Sequence, residues 1–106
     1  MKTLTKEEFE IYCLLFAANS DFNITRNELI EIGAEVEPTT FMKVYEHFQM
    51  DNDMQRTETI MQHKKLYIAN DAEKQALIDE MKKVFFSDGK FDATERSVFS
   101  ILRKLL

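Results

Sequence analysis

Two stretches of this chain lie over one another without a gap: LLFAANSDFNITRNELIEI, residues 14–32, and KVFFSDGKFDATERSVFSI, residues 83–101. At this constant offset of 69 residues, Phe16 meets Phe85, Phe22 meets Phe91, Thr25 meets Thr94 and Ile32 meets Ile101. Asn19 and Asn23 meet Asp88 and Asp92, their near-isosteres. The apolar register runs on backwards, with Phe9, Tyr12 and Leu15 over Ile78, Met81 and Val84. A repeated hairpin accounts for this pattern: an amphipathic helix, a polar turn holding an apolar anchor, and a second capped helix. Phe22 and Phe91 are the anchors. Two such hairpins facing each other share a core, and whatever lies between them must bridge.

The flanking sequence reads as helix in the same way. Thr5 and Glu8 have capping-box spacing, so a first helix starts near Thr5 and carries Phe9, Tyr12, Cys13, Phe16 and Ala17 on one apolar face. Asn19-Ser20-Asp21 ends it, because short polar side chains compete for the helical backbone. Asn23 or Thr25 caps helix 2, with Leu29, Ile30 and Ile32 inward and Gly33 near its end. Pro38 falls in the loop before helix 3, which spans about Thr39 to Gln49 with Phe41, Val44, Tyr45 and Phe48 in one stripe. Asp51-Asn52-Asp53 reads as a turn. Helix 4, the least regular, carries Ile60, Met61, Leu66 and Tyr67. Asn70 and Glu73 repeat the capping-box spacing and start helix 5 near Asp71, with Leu77, Ile78, Met81, Val84 and Phe85 inward. Asp88-Gly89-Lys90-Phe91 is a turn, and Asp92 caps helix 6, whose inward residues are Val98, Phe99, Ile101, Leu102 and Leu105.

Composition agrees. The 106 residues contain only two glycines and one proline, too few for the turns of a β-sandwich or barrel, and 31% of them are charged. The expectation is an all-α fold: one domain over residues 1–106, a compact bundle of about six helices with two pseudo-repeated helix–turn–helix units. The net charge of −5 and the small basic clusters at predicted helix ends argue against a nucleic-acid surface, which needs concentrated Lys and Arg. No apolar run approaches the ~20 residues of a membrane span, and MKTLTKEEFE lacks the apolar stretch of a signal peptide. Cys13 is the single cysteine, so no internal disulfide forms. A cytoplasmic location is the expectation.

The stretch from Phe86 to Glu95 resembles the tellurite-resistance TerB-like family, which includes the N-terminal region of DjlA-type co-chaperones. The shared features are Asp88-Gly89, an apolar residue two positions after the glycine (Phe91), and a glutamate seven after the aspartate (Glu95). The resemblance implies an all-helical fold with two such turns in pseudo-symmetric halves, a place in a bacterial stress response, and divalent-metal binding through acidic turns. The first copy departs from the pattern. Asn19-Ser20 stands where Asp-Gly is expected, and Arg26 stands where the glutamate is expected.

The strongest candidate for chemistry is therefore Asp88, Asp92 and Glu95. Hard cations such as Ca²⁺ or Mg²⁺ take several oxygen ligands, and three carboxylates within eight residues can converge on one. A standard EF-hand is excluded: with Gly89 at the sixth loop position, Val84 and Phe86 occupy the first and third, and neither offers an oxygen. The competing reading is structural, with Asp92 and Glu95 capping helix 6 and Gly89 supplying a left-handed turn residue. Asp51-Asn52-Asp53 is a second oxygen cluster that reads as a turn, because no spaced glutamate follows it. His47 and His63 lie on different helices, and neither carries the partner of a zinc helix motif. Cys13, set among Tyr12, Leu14 and Leu15, reads as a buried, inert thiol.

Six methionines and nine phenylalanines are many for this length. Met42, Met50, Met54 and Met61 cluster around the helix 3–4 hairpin, and exposed together they would form an adaptable partner surface. The function these features point to is a non-enzymatic interaction or scaffold module of TerB-like type that binds another protein, with a weak Ca²⁺ or Mg²⁺ site at the second acidic turn. The alternatives are a sensor whose ligand is the divalent metal itself, and a small hydrolase using His47 or His63 with a carboxylate.

Overall fold

The computed structural model describes residues 3–20, 25–33, 36–86 and 92–106. Among them run six helices and no strand: α1 (Lys6–Ser20), α2 (Arg26–Gly33), α3 (Pro38–Met50), α4 (Asp53–Tyr67), α5 (Asp71–Phe85) and α6 (Asp92–Leu105). The Cα radius of gyration is 12.7 Å, the compactness expected of a folded domain of ~100 residues.

The centre of the bundle is α1. Helices α2, α3, α4 and α6 all pack against it, and α5 packs on α6. Every residue from Glu8 to Leu15 is buried, and so are Ala17 and Ala18. This corrects the single apolar face expected for this helix. Ile11, Leu14 and Leu15 fill the sides between Phe9, Tyr12 and Cys13, while Phe16 is only half-buried. A helix apolar on all sides is stable only when other elements surround it. One cluster of buried side chains draws on all six helices, from Phe9 and Tyr12 through Leu29, Phe41 and Ile60 to Leu77, Phe85 and Leu102.

Side-chain caps are seen at the starts of α1, α4 and α5. Thr5 N–H donates to Glu8 Oε1 at 2.8 Å and Glu8 N–H donates to Thr5 Oγ1 at 3.1 Å, a reciprocal capping box. At its other end, Ser20 Oγ donates back to the Phe16 carbonyl at 2.9 Å. Thr25 directly precedes α2, and its carbonyl accepts from Leu29 N–H; Asn23 and the side chains of Ile30 and Ile32 lie outside the described residues. Pro38 is the first residue of α3 rather than part of the preceding loop, a position its fixed φ and missing N–H suit. Asn52 caps α4 in a second reciprocal box, accepting from Gln55 N–H at 2.8 Å while Gln55 Oε1 accepts from Asn52 N–H at 2.9 Å. Asn70 caps α5 by accepting from Glu73 N–H at 2.9 Å.

Helix α4 differs most from expectation. Ile60 is buried and Tyr67 packs partly against the core, but Met61 and Leu66 face solvent. The other inward positions are Thr59 and His63. The inward set 59, 60, 63 and 67 has helical spacing, but two of its members are polar, so a search for apolar periodicity misses it. In α5 and α6 the expected inward residues are buried or half-buried throughout.

Gly33 ends α2 against α3. A Cβ at this position would run into the Phe41 ring, so the close approach of the two helices requires glycine.

Helix limits around the two aligned stretches do not coincide. Helix α1 continues to Ser20, whose aligned counterpart Gly89 lies beyond the end of α5 at Phe85. Helix α6 opens at Asp92, whose counterpart Asn23 precedes the start of α2 at Arg26.

Candidate functional site

The α3–α4 turn is fixed from several directions. Asp51 N–H donates to the carbonyls of His47 and Phe48, both at 3.2 Å, and closes α3. Arg56 reaches back from α4 and donates from Nε and Nη2 to the Phe48 carbonyl at 3.0 and 2.9 Å. Its guanidinium carbon also lies 4.0 Å above the Phe48 ring centroid. From the central helix, Tyr12 donates its hydroxyl proton to Asp51 Oδ2 at 2.6 Å. Burial, and next that bond to Asp51, push the Tyr12 phenol up from its ordinary value. The same carboxylate oxygen lies 3.3 Å from His47 Nε2.

On this pinned turn the chain displays apolar side chains to solvent. Met50 ends α3 and is 84% exposed; Met54 lies in the first turn of α4 and is 72% exposed. Met61 and Met42 are about half exposed, and Leu66 is more so. All four methionines singled out in the sequence therefore lie at the surface. Met54 and Met61 are seven residues apart on α4 and share its outer side. Thioether side chains are flexible and polarizable, so such a surface can fit partners of differing shape.

The acidic residues divide differently. Asp88 lies outside the described residues, and Asp92 is described only as the first residue of α6. Glu95 Oε1 lies 3.2 Å from Lys82 Nζ, an ion pair joining α5 to α6. Among the described residues no group of three His, Cys, Asp or Glu side chains is arranged to hold a metal ion. One of the three expected ligands is thus seen, and its carboxylate already has a cationic partner. In the Asp51-Asn52-Asp53 cluster, Asn52 and Asp53 serve the start of α4, as a turn reading requires.

The two histidines have unlike roles. His63 is buried, with Nε2 accepting from Leu4 N–H at 2.9 Å and Nδ1 at 2.7 Å from the Thr59 carbonyl. Because Leu4 N–H donates to Nε2, the proton belongs on Nδ1, which donates to Thr59. The ring stacks on Phe9 at 5.9 Å between centroids. His63 is therefore a satisfied core histidine. His47 is half-exposed beside Asp51, and its i, i+4 spacing to that residue was visible in the sequence. Its ring stands nearly perpendicular to that of Tyr12, with centroids 5.8 Å apart. A cleft of about 310 Å³ lies between α1, α2 and α3, walled by Leu15, Leu29, Tyr45 and Phe48. Its lining offers no carboxylate, histidine or cysteine among the described residues.

Cys13 is fully buried, and burial followed by the charge of Glu10 pushes its thiol far up, away from the reactive thiolate. Glu8 and Glu10, two residues apart, are driven in opposite directions. The Thr5 backbone N–H, and then Lys43 at 3.3 Å, hold Glu8 below the usual carboxylate range. Burial and then Glu80 push Glu10 up to about 7. Nothing in the local sequence flags Glu10: a glutamate between Phe9 and Ile11 reads as a solvent-facing position until the helix is seen to be surrounded.

Compared with known protein families, curated proteins and solved structures, the chain matches none of them.

Proposed function

We propose that this chain is a non-enzymatic protein-interaction module of TerB-like type, and that it meets its partner through the α3–α4 turn and the outer side of α4. The observation that carries this reading is the exposure of Met50 and Met54 on a turn held by Tyr12, Asn52 and Arg56. A floppy turn would lose conformational entropy on docking; a pinned one has that ordering already done. The reading takes the two aligned stretches as duplicated hairpins around a shared core, and places the module in a cytoplasmic stress-response setting. Both of these rest on the sequence pattern and the family resemblance.

The test is a comparison of wild type with the Met50→Glu/Met54→Glu double variant. Both positions are exposed, so stability should stay within about 0.5 kcal/mol. Proteins captured by immobilised wild type should be lost from the variant, and a reconstituted pair should show the same loss of affinity. Identical capture by both would overturn the choice of face.

The second reading is a divalent-metal sensor at Asp88, Asp92 and Glu95. Binding to the native state alone must raise the melting midpoint. Melts with and without millimolar Ca²⁺, Mg²⁺, Mn²⁺ and Zn²⁺ separate the readings: a shift that disappears in Asp92→Ala supports the sensor, and no shift for any ion rejects it. Glu95 would have to leave Lys82 to serve as a ligand.

A further inference from the structure

Peroxides oxidise protein sulfur, as the cysteine thiolate or the methionine thioether, wherever they can reach it. The sulfur of this chain is carried by one cysteine and six methionines. The fold sorts these groups sharply by access. Cys13 is buried in the middle of α1, away from any solvent-borne reagent. Met81 of α5 is fully buried among the core side chains. Met1 lies outside the described residues. The remaining four, Met42, Met50, Met54 and Met61, all stand on α3 and α4, and every one is exposed. Accessible sulfur among the described residues is thus confined to two consecutive helices. It peaks at the turn between them, at Met50 and Met54.

The turn does not rely on those thioethers. Asp51 N–H closes α3, Asn52 and Gln55 cap each other, and Arg56 holds the Phe48 carbonyl. Met50 and Met54 belong neither to these contacts nor to the buried core. An oxygen added at either sulfur therefore meets water rather than a packed neighbour.

We propose that Met50 and Met54 form an oxidation site for hydroperoxides, whose sulfoxides turn the α3–α4 face polar and leave the fold standing. In each step a sulfur lone pair attacks one peroxide oxygen. The S–O bond forms as the O–O bond breaks, and the hydroxyl proton passes to the departing oxygen, which leaves as water or an alcohol. Sulfur loses two electrons and the peroxide gains them. The product is polar and chiral where the thioether was apolar and flexible, and methionine sulfoxide reductases reverse it. An effect on partner binding rests on the reading of this face as the docking surface; the oxidation site itself does not.

The test treats the full chain with dilute hydrogen peroxide and maps oxygen uptake by peptide mass spectrometry over time. Met50 and Met54 should each gain one oxygen before Met42 and Met61. Met81 reacts only through opening of the fold, so it should lag by at least about tenfold. In denaturant the five rates should converge. Protein oxidised at Met50 and Met54 alone should melt within about 4 °C of the untreated chain, as expected for changes at exposed positions. It should also elute earlier from a phenyl resin and recover its retention after reductase treatment. Met50→Leu/Met54→Leu keeps the face apolar without sulfur, so its retention should survive the same exposure to peroxide. Native oxidation of Met81 as fast as Met50 would overturn the proposal, as would Met42 or Met61 reacting first. So would unchanged retention with both sulfoxides present, a collapse of the melting midpoint, or an equal loss of retention in the leucine variant. Should that variant fail to fold, the wild-type map and the reductase reversal decide. Identical capture by the Met50→Glu/Met54→Glu variant would remove the docking reading and leave this map untouched.

Discussion

Replacing His63 with phenylalanine tests how the start of the chain is held to the bundle. Leu4 is buried, and α4 grips its peptide groups from both sides: His63 Nε2 accepts its N–H at 2.9 Å, and the Tyr67 hydroxyl donates to its carbonyl at 2.6 Å. Phenylalanine keeps the ring and much of its stacking on Phe9, but offers no acceptor. The Thr59 carbonyl retains its helical partner, so the loss falls on Leu4 N–H, left buried and unpaired. Such a group costs about 1–3 kcal/mol, and the middle of that range is the expectation here. At roughly 4–8 °C per kcal/mol for a domain of this size, the melting midpoint should fall by about 10 °C. Urea unfolding should give the same loss with an unchanged m-value. Tyr67→Phe should cost about 1 kcal/mol. The double variant should fall short of additivity by at least about 0.5 kcal/mol, because both side chains hold one peptide segment. His63→Phe within about 0.5 kcal/mol of wild type, at equal m, would refute the assignment of His63 as the anchor of Leu4.

Asn52→Ala removes the α4 capping box and should cost about 1 kcal/mol, read by chemical denaturation; Thr57→Ala, exposed on the same helix, serves as the control. Gly33→Ala should destabilise by about 1–2 kcal/mol despite alanine's better helix propensity, because the added methyl meets the Phe41 ring. A neutral or stabilising result there would show that Phe41 can move aside. Cys13 should resist a thiol reagent in the native protein and react once denaturant is added; rapid native labelling would contradict its burial.

Features of the sequence that act within a few residues were legible without a structure. Thr5 with Glu8 and Asn70 with Glu73 predict helix starts because a cap and its partner lie one turn apart. The stripes of α3, α5 and α6 were equally plain, since each of these helices has one wet side. The surface position of Met50 and Met54 was an open question in the sequence, because a methionine beside a turn is as consistent with core as with surface. Glu10 was invisible for the opposite reason: its neighbours suggest a two-sided helix, and only the surrounding elements deny it a solvent-facing side.

The aligned stretches at 14–32 and 83–101 thus pointed to the class of fold, all-α, because helical periodicity is local chemistry. What each polar residue does was decided by tertiary structure. His63 meets Leu4 across 59 positions and Tyr12 meets Asp51 across 39. Glu95 finds Lys82 on the preceding helix, and Glu10 is enclosed within the surroundings of α1 at 3% exposure. Burial and charge pairing depend on which helices enclose a position, and that enclosure is a property of the folded bundle rather than of any one segment.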